Sequence, residues 1–138
     1  MKPITKEWFK SSDSDLLLIG EIIENEALTH MVAFHAQQAV EKCLKAILEE
    51  HSEIPKIHNL KTLVKFVEKV GFALDIDVHI IEQLDMLYIE SRYPGEFGLL
   101  PSGKPTIEEA KVFYESAKYI YETTTKMLES GTCGTGGS

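Results

Sequence analysis

The chain contains a single arginine, Arg92, and it stands in the run Ser91-Arg92-Tyr93-Pro94. A guanidinium is planar, permanently charged and able to grip a phosphate or carboxylate through two parallel hydrogen bonds. Beside an aromatic ring and a rigid proline it could serve as an anion clamp. The plainer alternative is that it complements the C-terminal dipole of the helix it ends, worth about 0.3–1 kcal/mol, or closes an ion pair within the fold. Both readings stay open at the level of sequence.

Five histidines raise the question of a metal site. His30 and His35 are five residues apart, which puts them ~140° apart around a helix, too far to share an ion. His51 and His58 flank a proline loop, with no Asp or Glu at the helical spacing of zinc motifs. Neither a metal nor a cofactor is expected. His35 falls on the apolar seam of a helix, within Phe34-His35-Ala36-Gln37-Gln38-Ala39-Val40-Glu41-Lys42. The simpler reading is a buried imidazole bonded to a neighbouring helix, and the sharper one is a ligand contact. Gln38, Glu41, Lys42 and Lys45 continue along the same helix. They either line a polar groove or form a solvated face on which Glu41 and Lys45 pair at i, i+4. Carboxylate pairs such as Glu90 with Glu96, or Asp75 with Asp77, arise by chance in a chain with 22 acidic residues. No serine sits in a nucleophile elbow. These patterns assign no catalytic residue.

The elements that must hold these side chains are helical. Trp8, Ser12, Leu16, Ile19 and Ile23 recur at three- and four-residue spacing, predicting a first helix from Thr5 to about Ile23. From Ala27 to Glu50 the chain has no Pro or Gly and is rich in helix formers, which predicts a central helix about 36 Å long. Leu28, Met31, Val32, His35, Ala39, Cys43, Ala46 and Ile47 form its wide inner face. A break around Pro55 precedes a third helix, capped by Asn59 and closed by Gly71, with Leu60, Leu63, Val64, Val67 and Val70 inward. A fourth starts near Asp75 or Asp77, carries Ile80, Ile81, Leu84, Leu87 and Tyr88, and ends at Tyr93-Pro94-Gly95. A loop follows to Pro105. Thr106-Ile107-Glu108-Glu109 is then a capping box that opens a fifth helix, running to about Leu128. No segment alternates like a strand. The expected fold is all-α, an up-and-down bundle of four or five helices over residues 3–128, with 129–138 as a flexible Gly-rich tail.

The 138 residues, 43% of them hydrophobic, make one domain long enough to bury a core without metal or disulfide help. Cys43 and Cys133 form no framework; Cys43 reads as a small core residue. No apolar run is long enough for a signal peptide or a membrane span, so a cytoplasmic location without membrane contact is expected. A net charge of -8 argues against bulk coating of DNA. The charge is uneven, however. Residues 35–70 hold six lysines against five acids, whereas 71–138 hold five basic against eleven acidic residues.

The string from Phe34 to Ala46, then His58-Asn59-Leu60 with Leu63, then Tyr88 and Arg92-Tyr93-Pro94, and finally an Ala-containing last helix, resemble the HEPN domain family over nearly the whole chain from Trp8 to Leu128. The resemblance implies a helical bundle, commonly a homodimer, paired with a small nucleotidyltransferase in a toxin-antitoxin-like or regulatory complex. Many members are metal-independent ribonucleases in which an arginine is followed after four to six residues by a histidine. Here Arg92 is followed by Tyr93, Pro94, Gly95, Glu96, Phe97, Gly98 and Leu99, and no histidine is in range. The expectation is therefore a non-catalytic module that binds a nucleotide or the nucleotidyltransferase partner through Arg92, Tyr93, His35, Gln38, Lys42 and His58. The alternative is a divergent metal-independent ribonuclease pairing Arg92 with a histidine from elsewhere, His58 or His35.

Overall fold

In a computed structural model the chain is described over residues 1–51, 54–92 and 104–129, with backbone alone for 90–92. The expected end of the fourth helix at Tyr93-Pro94-Gly95, most of the following loop, and the tail from 130 onward lie outside the described residues. Among the described residues five α-helices occur: α1 Pro3–Ile22, α2 Thr29–His51, α3 Leu60–Lys69, α4 Val78–Arg92 and α5 Ile107–Glu129. A 3₁₀ turn over Glu26–Leu28 leads into α2, with the Asn25 side chain accepting from the Ala27 N–H. No strand occurs among these residues.

Most helix starts are set by local hydrogen bonds. Pro3 occupies the first turn of α1, where its missing N–H costs nothing. Asn59 accepts from the Thr62 N–H at 2.9 Å to cap α3, and Asp77 accepts from the His79 N–H at 2.9 Å at the start of α4. At α5 the Thr106 hydroxyl accepts from the Glu109 N–H, while the Glu109 carboxylate accepts from the Thr106 N–H, completing the reciprocal box. Gly71, at φ +104°, turns the chain out of α3 in a conformation that L side chains rarely adopt. The Gly71 and Phe72 N–H groups then satisfy carbonyls of the last turn.

α2 is the axis of the bundle and touches all four other helices. Val32, Ala36, Ala39, Val40, Cys43, Leu44, Ala46 and Ile47 are fully buried, so its inner face extends nearly all round rather than along one stripe. α1 runs antiparallel to it: Lys2 and Thr5 meet Glu49 and Glu50 at one end, and Asp15 meets His35 further along. Burial works to raise the Glu50 carboxyl. The Lys2 N–H, the Thr5 hydroxyl and the terminal ammonium outweigh it and hold the group below its ordinary range. Ser12 donates to the Ala39 carbonyl at 2.8 Å, an approach open because Ala39 has almost no side chain.

The chain reverses again from α3 to α4 and from α4 to α5. The connection after α2 instead carries it back along the bundle. His58 sits beside Gln37 while Phe72 packs on His51, so α3 runs in the same sense as α2. α5 shares that sense, with Thr124 near Cys43 and Ile107 near Thr29. Burial pushes the Cys43 thiol up to about 11, against its contacts with the Ser12 and Thr124 hydroxyls, which leaves it an unreactive core group.

Truncating Leu44 to Ala should cost about 2–5 kcal/mol in urea denaturation, since the side chain is fully enclosed. Thr106→Ala should cost only about 1 kcal/mol, the value of one cap.

Candidate functional site

α2 carries an unusual load of polar side chains into the interior. Asp15 of α1, 8% exposed, faces it and holds two of them: its Oδ1 lies 2.8 Å from His35 Nδ1 and its Oδ2 accepts from Lys42 Nζ at 2.7 Å. Glu41, 6% exposed, repeats the pattern one turn away. Its Oε2 accepts from Lys45 Nζ and lies 2.8 Å from His58 Nδ1, and its Oε1 accepts from Gln37 Nε2. Gln37 also donates to the His58 carbonyl at 3.1 Å, and Gln38 donates to Gln37 Oε1 at 2.7 Å. Two triplets of histidine, carboxylate and lysine are thus built around α2, the first taking its carboxylate from α1 and the second its histidine from the segment before α3. Their logic is electrostatic: a buried carboxylate is tolerated only where a positive charge and hydrogen bonds replace its water.

The i, i+4 pair of Glu41 and Lys45 forms as its spacing implies, but not on a solvated face. Both side chains are less than 9% exposed, because α1 and the segment before α3 close over that side of α2. Lys45 Nζ lies 5.8 Å from the Trp8 ring centroid, a cation–π contact from α1. The indole N–H of Trp8 is buried without an acceptor among the described residues.

A third buried carboxylate, Asp85 of α4, accepts from the Leu60 N–H at 2.8 Å and the Lys61 N–H at 3.2 Å, so it caps α3 from another helix. Burial raises its carboxyl above the ordinary value, the two N–H bonds pull the other way, and the charges of Glu41 and Glu82 add to the rise.

Across α2 runs a row of rings. Phe34 meets His35 edge-on, with centroids 5.3 Å apart, and stacks on Tyr88 of α4 at 5.7 Å. Arg92 lies one helical turn beyond Tyr88. Of the residues expected at the site, His35, Gln38 and Lys42 share one partly exposed face of α2, and His58 stands on its flank over Glu41. Tyr93 lies outside the described residues. Among the described residues no three His, Cys, Asp or Glu side chains gather as metal ligands, and no helix is long and apolar enough to cross a membrane.

Asp15 and Asp85 organise this region and were not singled out by the sequence reading. Each left a signal. Asp15 sits three residues after Ser12 and four before Ile19, inside the α1 stripe, and Asp85 sits in phase with Ile81 and Tyr88. An acid on an apolar stripe is rarely buried without partners.

These features define an all-α bundle organised around one helix that passes through the core with its charges paired. The chain belongs to the HEPN domain family, whose model matches residues 5–128. The fold is shared with the crystal structure of TT1696 from Thermus thermophilus, at a TM-score of 0.67 and 22% identity over 88% of this chain and 96% of that one. None of the curated proteins matches this chain.

Because the folded state binds the Asp85 proton more tightly than the unfolded chain does, this group's contribution to stability is largest at acid pH and shrinks as pH rises through its folded value. Urea denaturation of wild type and Asp85→Ala at pH 4 and pH 7 checks the sign. The wild type should be more stable at both, and its advantage should be smaller at pH 7.

Proposed function

We propose that this chain is a non-catalytic HEPN module that binds a nucleotide or a nucleotidyltransferase partner. The binding surface is the face of α2 bearing His35, Gln38 and Lys42, with His58 on its flank and Arg92 beyond Tyr88. The observation that carries this reading is the state of the two histidines. Each has its Nδ1 on a carboxylate that a lysine also holds, and the only arginine has no histidine four to six residues behind it. The row His35, Phe34, Tyr88 offers flat apolar area for a base or an aromatic side chain, and Arg92 supplies permanent positive charge one turn away.

Protein partnering draws support from the helices that flank this face. Leu17 and Leu18 on α1, and Met86 and Ile89 on α4, are 39–66% exposed and offer apolar side chains to a partner. A homodimer, and a pairing with a nucleotidyltransferase in a toxin-antitoxin-like or regulatory complex, use such surface. The working location of a module of this kind is the cytoplasm.

One observation favours the divergent ribonuclease as a second reading: the stack of Tyr88 on Phe34 brings the last turn of α4 toward His35, which already has the carboxylate partner of a general base.

Calorimetric titration with ATP, ADP and AMP tests the first reading. Binding should be measurable, and Arg92→Ala should weaken it at least tenfold; no heat with any of the three removes the nucleotide limb. Cleavage of RNA by the purified protein, lost in both Arg92→Ala and His35→Ala, would establish the second reading instead. Light scattering should give twice the 15.5 kDa chain mass, and a monomer mass removes the homodimer.

A further inference from the structure

We infer that Asp15 and Glu41 are positioning residues that lock His35 and His58 in a single tautomer, protonated on Nδ1, so that each ring presents the Nε2 lone pair outward as a hydrogen-bond acceptor. The geometry is the same at both places. An ionised carboxylate accepts hydrogen bonds and cannot donate them, so in each 2.8 Å contact the proton belongs to the imidazole Nδ1. Which ring nitrogen is free is set by the bond the other one makes.

Each carboxylate is held from a second side as well. Asp15 is already neutralised by Lys42 at 2.7 Å, and Glu41 by Lys45 at 2.8 Å. The carboxylates thus keep a proton on the inner nitrogen of each ring. His35 and His58 side chains are 18% and 59% exposed, so their remaining nitrogens can reach a ligand.

A neutral Nε2 lone pair repels a phosphate oxygen and attracts an N–H or O–H. On the face proposed above, on which this step alone rests, the two histidines take a hydrogen-bond donor such as an exocyclic amine or a ribose hydroxyl. A phosphate would have to be held elsewhere.

The test is two-bond ¹H–¹⁵N correlation of the imidazoles in the full, ¹⁵N-labelled chain at pH 7, with His35→Gln and His58→Gln for assignment. Both rings should show the Nδ1–H pattern in the free protein. The Nε2–H pattern, or two protonated nitrogens, at either residue overturns the tautomer assignment whatever the protein binds. Asp15→Asn should release His35 from the Nδ1–H pattern and leave His58 unchanged; an unchanged His35 overturns the role given to the carboxylate. The wild-type spectrum decides the tautomer even if that variant fails to fold. Titration with adenosine should move an Nε2 resonance and inorganic triphosphate should not. A shift with triphosphate alone, or with neither probe, overturns the recognition step, while the free-protein spectrum still stands apart from it.

Discussion

Glu41 lies nearly without water in the middle of α2, and the bundle depends on its charge being answered. Lys45 supplies the opposite charge, His58 and Gln37 supply the remaining donors, and all three must arrive from different directions. Removing one partner from such a buried pair strands the other, a loss typically of about 3–5 kcal/mol. An apolar residue at position 41 would pack without that risk. What it would not do is fix the segment before α3, which is tied to α2 through the His58 ring and the His58 carbonyl at once.

That tie explains the topology. The connection after α2 brings the chain back along the bundle instead of reversing it into an antiparallel neighbour, and His58 is the point where it docks. One residue later Asn59 caps α3 from within, while Asp85 caps it from α4. α3 has ten residues, too short to be stable as an isolated helix, and it is held at its start by two acceptors and at its end by Gly71. The polar groups of this fold thus specify where elements join, and the apolar groups supply the bulk of the burial.

The site follows from the same arrangement. Asp15 reaches across from α1 to His35 and Lys42, and Tyr88 reaches across from α4 to Phe34, so the exposed face of α2 is framed by the two helices that run against it. A framed, rigid surface with oriented ring nitrogens is suited to recognition, because little side-chain freedom is lost when something binds.

The sequence alone determined whatever depends on residues three or four apart. The five helices, the caps at Asn59 and Thr106, the turn at Gly71 and the pairing of Glu41 with Lys45 were all legible, because one helical turn closes each of those interactions, while the start of α4 was narrowed only to Asp75 or Asp77. The family string from Phe34 to Ala46 was legible as well. Tertiary structure decided the rest. That Glu41 and Lys45 lie inside the bundle, that Asp15 meets His35 across 20 positions, and that Asp85 caps a helix 25 positions away are contacts between elements. Spacing along one helix fixes which side chains share a face. Only the packing of other helices against that face determines whether it meets water, and therefore whether its charges are surface decoration or the joints of the fold.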